Sequence, residues 1–267
     1  LTYNEYKTLK QAMLTSIYTN GGFWVGRYEA GIEGSNTNIA LARNSSTARL
    51  TTETTGKAVS KKDMIPYNFV QCREASVLAK NVSTTGNTKC SLMFGIQWDL
   101  LIKYLEVKNK FPSGNTATAY SKSDSSSWGN YNYDYDFNQS SIHGYKGILS
   151  SNGWINLTWS AIESGDRHEV TNWSTIAPMA ISTGATERNK ILNIYDLAGN
   201  MFEWTLEHAT SDSSVPCAYR GGHFNNTGSN YPASYRNSGI VTDSYGNGRF
   251  SSFTLLSRVD LGPVSSI

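Results

Sequence analysis

The chain has 267 residues and a formal net charge of +2, a length at which roughly three quarters of the unfolded surface can be buried. Charged residues make up only 16% while seven Trp and sixteen Tyr are present, so the surface must be polar but largely uncharged. Basic residues are scattered, the densest group being Lys57, Lys61 and Lys62, which argues against a nucleic-acid partner, and no apolar run approaches the roughly 18 residues of a membrane span.

In chain order, Leu9, Met13 and Ile17 share one helical face, and Gly21-Gly22 supplies a stop, which predicts a first helix. Phe23 to Tyr28 reads as a strand, and Ser35 to Lys62, rich in Ser, Thr, Asn and Lys, as a long surface excursion. A second helix is predicted over Val70 to Asn81, with Ala75, Leu78 and Ala79 facing in. A third is predicted around Trp98 to Val107, where Trp98, Leu101, Ile102 and Leu105 share a side. Residues 111–141 lack helical period and are crowded with turn formers, so they read as a loop insertion. From Gly144 onward come short apolar snatches, GILS, WINLTW, IAPMAIS and FTLLSRVDL, separated by polar turns. Early helices and late short strands predict one α+β domain over 1–267.

Cys72, Cys90 and Cys217 show no C-x-x-C pair or metal spacing; Cys72 and Cys90 could form one disulfide. His143, His168, His208 and His223 sit in no metal or nucleophile motif, and the N-x-S/T triplets are expected by chance in so Asn-rich a chain. No cofactor or metal is expected. The start at Leu1, with neither an initiator Met nor a signal peptide, is the pattern of a trimmed or a processed form. It fits an extracellular or cell-surface protein whose anchor or signal segment is absent from this stretch.

Four segments in this order carry a resemblance: GFWVGRYEAG at Gly22 to Gly31, SLMFGIQWDLLIKYL at Ser91 to Leu105, YDLAGNMFEWTLE at Tyr195 to Glu207, and YRGGHF at Tyr219 to Phe224. Together they resemble the formylglycine-generating-enzyme type of C-type lectin fold. The third is the most specific, similar to the family's D-L-x-G-N-x-W-E-W-T signature with Phe202 where Trp is usual; the second lacks the usual Pro and acidic residues. The resemblance implies two main helices and a twisted antiparallel sheet, with Glu203 and Trp204 buried and the Asn200 side chain serving backbone groups in a turn. It also implies calcium ligation by Asn200 and Glu203, but two oxygens fall short of the 6 to 8 that calcium takes, so a structural role is the expectation.

Enzymes of that family carry a copper-binding cysteine pair shortly after the R-G-G-like turn. Here the stretch is RGGHFNNTGSNYPASYR, without sulfur, so cuprous copper has no thiolate site and catalysis is not expected. The C-terminal composition points to binding instead. Tyr219, His223, Phe224, Asn225, Asn226, Asn230, Tyr231, Tyr235, Asn237, Tyr245 and Asn247 are of the types that give contact area and adaptable hydrogen bonding at modest entropy cost, although Phe224 and Tyr235 also suit a core. The alternatives are a structural head domain of a bacterial surface fibre or pilin-like protein, or an oxidoreductase of the formylglycine-generating type.

One count sharpens the binding expectation. Leu1 to Glu207 contains 40 residues of Lys, Glu, Gln, Met or Trp (13, 11, 4, 5 and 7), while the sixty residues from His208 onward contain none. About twelve would follow from the earlier rate. Those five types cannot be reached by randomising the adenines of AAC or AAT codons. The chain in this respect resembles the variable proteins of diversity-generating retroelements, which use the same fold, and the resemblance implies a variable segment at 219–256 binding an unknown protein or glycan.

Overall fold

A computed structural model describes residues 2–41, 57–82, 88–108, 119–131, 142–150, 153–162, 176–208, 214–240, 251–252 and 259–260. Helix α1 spans Tyr3–Asn20. Thr2 opens it with a reciprocal cap: its hydroxyl accepts from the Glu5 N–H at 3.2 Å, and the Glu5 carboxylate accepts from the Thr2 N–H at 2.7 Å. Gly21 closes it in the left-handed conformation (φ 75), donating its N–H to the Ile17 carbonyl. The predicted apolar face is real, with Met13 buried against Phe94 and flanked by Leu9 and Ile17. The strand predicted over 23–28 is not formed as a named element. Phe23 and Val25 do pack inward, but the segment carries only single rungs among the described residues, a bridge at Trp24 and the bond from Tyr195 N to Arg27 O.

Strands β1 (Gly31–Ile32) and β2 (Ala58–Val59) pair antiparallel and close the predicted excursion at its base, with a 3₁₀ turn at Ile39–Leu41 inside it. Helix α2 (Cys72–Lys80) falls within the predicted span, where Gln71 at the N-cap donates its N–H to Glu74, and Ala75 and Ala79 are buried. After β3 (Thr88–Lys89), helix α3 (Gly95–Lys108) begins three residues earlier than predicted, because the Phe94 N–H and the Gln97 side chain close a first turn at 2.9 Å. Trp98, Leu101, Ile102 and Leu105 are its buried side, as expected.

Within the predicted insertion 111–141, residues 119–131 are described, and they are not merely surface. A short π-helical turn at Ala119–Ser123 leads to Trp128, Asn130 and Tyr131, all buried, since two large rings gain more from the core than their polar neighbours lose by approaching it. Strands β4 (His143–Ser150), β5 (Gly153–Ala161) and β6 (Ile176–Ile181) form an antiparallel sheet in the order β5-β4-β6, covering GILS, WINLTW and most of IAPMAIS. The small pair β7 (Lys190–Ile191) and β8 (Ile194–Tyr195) precedes β9 (Phe202–His208), β10 (Cys217–Arg220) and β11 (Arg236–Gly239). Then follow β12 (Ser251–Ser252) and β13 (Val259–Asp260), the latter pairing with β3; Phe253 to Arg258 of the last predicted strand lie outside the described residues.

The protein is a mixed α+β structure. Three α-helices are present among the described residues instead of two main ones, and the expected twisted antiparallel sheet is divided into five small sheets. The four-stranded one, ordered β11-β10-β9-β12, has a parallel edge where β12 runs beside β9. None of the three cysteines is in a disulfide and all are buried; Cys72 at the start of α2 faces Cys217 at the start of β10, and the pairing considered with Cys90 is not formed.

Candidate ligand-binding surface

The chain enters this region through the turn Asp196–Asn200. Three of its residues have left-handed backbone: Asp196 (φ 58), Gly199 (φ 72) and Asn200 (φ 52). A Cβ on Gly199 would collide with the Asn130 carbonyl, which makes glycine necessary there. Asn200, fully buried, is the hub. Its side-chain oxygen accepts from Asn130 Nδ2 at 2.9 Å and from the Ile181 N–H at 2.8 Å, while its Nδ2 donates to the Ile181 carbonyl at 3.2 Å. Its backbone N–H donates to Asn130, and its carbonyl accepts from the Phe224 N–H. One residue, by side chain and backbone together, thereby joins the end of β6, the 119–131 segment and the turn after β10.

Asp196 is also buried, accepting from the Gly184 N–H at 2.6 Å and from Asn189 at 3.3 Å. Burial raises its carboxyl to about 7, against the opposing pull of those two donors. Glu29 is pushed well above the usual carboxylate range, first by burial and then by the Asp196 charge, with Asn200 opposing. Of the two calcium ligands that the resemblance implies, Asn200 has no free side-chain oxygen to offer. The Asn200 oxygen is already taken by two donors, and among the described residues no three acidic, His or Cys side chains converge as a metal site.

From the turn, β9 carries Trp204 into the core, where its indole N–H donates to the Val70 carbonyl at 3.0 Å. Strand β10 lies between β9 and β11, with Tyr219 opposite Trp204 on one side and Asn237 on the other. Arg220, almost wholly buried, pairs with Glu207 at 2.8 Å and with Asp99 of α3 at 3.2 Å, and Glu207 also holds Arg236. This ionic link fixes three strands to a helix, and only cross-strand register reveals it.

Of the residues predicted to contact a ligand, three are core residues instead. Tyr219, His223 and Phe224 are 2%, 3% and 0% exposed. Tyr219 packs on Phe202 with ring centroids 4.5 Å apart, and His223 meets Phe202 edge-on at 4.5 Å. Both faces of the central strand and of the Gly221-Gly222 turn are covered, so aromatic side chains there have nowhere to go but inward. His223 is a turn former: its Nδ1 accepts from the Asn225 N–H at 3.1 Å, and its N–H donates to the Asn226 side chain at 3.1 Å.

The remaining described candidates are brought together at the surface. Asn225 and Asn226 are half-buried in that tight turn, Asn230 is exposed beyond it, and Tyr231 and Tyr235 are half-buried, their rings 4.5 Å apart edge to face. Asn237 on β11 is exposed and donates to the Tyr235 hydroxyl at 2.7 Å. Tyr245 and Asn247 lie outside the described residues. Behind this surface the backbone is pinned: Ser125 N–H donates to Gly228, Ser125 hydroxyl accepts from Ala233, and Tyr131 hydroxyl lies 2.9 and 2.8 Å from the Gly221 and Tyr231 carbonyls. Sequence reasoning missed exposed Arg236 here; the enrichment of Arg at binding interfaces was the available signal.

No family model matches the chain, and no curated protein matches it. The structure establishes the α+β class. No helix among the described residues is long and apolar enough to cross a membrane.

Proposed function

We propose that this is a non-catalytic ligand-binding protein, receptor-like or adhesin-like, displaying a diversified C-terminal surface on a single C-type lectin-like domain of the formylglycine-generating-enzyme type. It acts outside the cell or at its surface, and its ligand is a protein or glycan. The observation that carries the reading is the composition break. The last of the five avoided residue types is Glu207, one residue before β9 ends, and the sixty residues beyond contain none. The reading gains support from the pinned backbone behind Asn225, Asn226, Asn230, Tyr231, Tyr235 and Asn237, which allows exposed side chains to change at small cost to stability, typically within about 0.5 kcal/mol.

The test is to sequence this locus across a population of the source organism. Substitutions confined to template adenines, concentrated at the exposed positions and sparing the buried Tyr219, His223 and Phe224, are expected. An invariant segment from Tyr219 to Leu256 overturns the reading.

A further inference from the structure

Away from that surface, the base of the 31–59 excursion meets the β5-β4-β6 sheet around a cavity of about 320 Å³. Its walls include Asn36, Ile39, Asp63, His143 at the head of β4, Trp159 on β5 and Ser182 just after β6. We propose that this cavity is a binding site for a neutral pyranose sugar, with Trp159 as the platform for the ring and Asp63, Asn36, His143 and Ser182 as partners for its hydroxyls.

Four observations lead there. First, the polar groups are free to act. Among the described residues no hydrogen bond engages the side chains of Asn36, Asp63, His143 or Ser182, although Ser182 is only 4% exposed. Asn36, Asp63 and His143 are exposed and the Ser182 hydroxyl is not sealed from solvent, so ligand hydroxyls can take the place of water on all four.

Second, the frame is rigid where those groups sit. The Asp63 N–H donates to the Thr183 carbonyl at 2.8 Å, the Thr183 N–H to the Met64 carbonyl at 2.9 Å, and the Ser182 N–H to the His143 carbonyl at 2.9 Å. The Thr183 hydroxyl bridges the Lys61 carbonyl and the Met64 N–H, and Ser35 accepts from the Ile65 N–H. Three chain segments thus hold one another before any ligand arrives, which lowers the ordering cost of binding.

Third, Asp63 occupies a left-handed backbone conformation (φ 62) that glycine would adopt with less strain. Asp visits that region more readily than most residues, and Asp63 is exposed, so its carboxylate faces solvent at the cavity wall, within reach of a ligand there.

Fourth, the lining selects the chemistry. Among the described residues the lining has no Lys or Arg, and Asp63 repels anions, which disfavours phosphorylated or acidic ligands. Ile39 and Trp159 are its apolar side chains among the described residues, a lining too polar for a wholly apolar ligand. Asn, Ser and His side chains both donate and accept, and Asp accepts, which is the set that matches hydroxyl groups arrayed around a ring. Trp159 is steadied edge-on by Tyr145 at 4.8 Å and 74°, leaving indole surface for the apolar C–H face of a pyranose.

The experiment is isothermal titration calorimetry on the full chain with glucose, galactose, mannose, fucose and N-acetylglucosamine, and inorganic phosphate as the anionic control. At least one sugar is expected to give signal, and phosphate none. Asp63→Gly should weaken that sugar's binding at least about tenfold, the loss expected for hydrogen bonds to a charged group, while leaving Tm unchanged or raised because backbone strain is relieved. Trp159→Phe should weaken it too. If an oligosaccharide ending in the same sugar binds about as well as the sugar itself, the ligand is a free sugar; much tighter binding of the oligosaccharide identifies a glycan terminus. Sugar binding should survive Asn230→Ala and Asn237→Ala, which separates this site from the C-terminal surface. No signal from any of the five sugars, or binding unaffected by Asp63→Gly, overturns the proposal.

Discussion

Two stretches of the same region, Asp196 to Phe224 and Asn225 to Asn237, are built from similar residue types put to opposite uses. In the first, Asn200 is sealed from water and makes three side-chain hydrogen bonds that join separate segments. In the second, Asn237 stands in solvent and reaches only its neighbours Tyr235 and Ser238. Tyr219 is wedged between strands, whereas Tyr235 lies half-open over Phe202. The difference teaches that polarity alone does not mark a surface here. A buried amide that satisfies backbone groups is worth as much to the core as an apolar side chain, and its removal strands every partner it served.

If the first stretch is the structural one, the largest effect should come from Trp204→Ala. It deletes a fully buried indole and orphans the Val70 carbonyl, and should destabilise by about 3–5 kcal/mol in chemical denaturation. A midpoint equal to that of the unaltered protein would mean the indole is not buried.

Acidity offers a second way to probe the same stretch. Asp196 is raised from 3.8 to about 7 by burial, so the folded state holds its proton more tightly than the unfolded state. The resulting stability is fully present below about pH 4 and is lost as pH rises through about 7, on the order of 4 kcal/mol in all. Glu29 shifts in the same direction and adds to it. Tm should therefore be higher near pH 5 than near pH 8. A Tm that climbs over that interval would show that the Gly184 and Asn189 donors, not burial, govern Asp196.

Asn200→Ala should cost about 2–3 kcal/mol, since Asn130 and the backbone of Ile181 lose partners in a place water does not reach. Asn237→Ala provides the contrast, measured under the same conditions.

Much of the scaffold was legible in the sequence where a periodic pattern coincided with an end signal. Helix α1 combines an apolar face with Gly21, and α2 and α3 show their buried sides at regular spacing. The Asp196–Glu207 motif was legible as a buried turn only through the resemblance it carries, and Asp196, Asn200 and Trp204 are buried. The strand over 23–28 was misread because alternation records which side chains face in, while a strand also needs a neighbour along its length. Asn130 and Tyr131 were hidden inside a polar, Tyr-rich run whose composition favours a loop; their burial depends on Asn200 and Gly221, far along the chain. The surface was half legible for a similar reason. Composition named Asn225, Asn226, Asn230 and Asn237, which lie wholly or partly in solvent, but it could not tell that Tyr219 lies on a strand with neighbours on both sides.

The smallest expected effect is the most informative about function. Asn230→Ala removes a side chain that is exposed and whose backbone N–H, not its amide, bonds to Thr227, so stability should change by less than about 0.5 kcal/mol. Asn237→Ala should fall close to that limit, because its bonds to Tyr235 and Ser238 are exposed and water can replace them. Replacing both together should be nearly additive, as neither is bonded to the other. Such tolerance is the physical condition that a surface must meet if its residues are to vary between copies without unfolding the domain. If either single change lowered stability as much as Asn200→Ala, the outer turn would be part of the frame, and a variable surface could not be built on it.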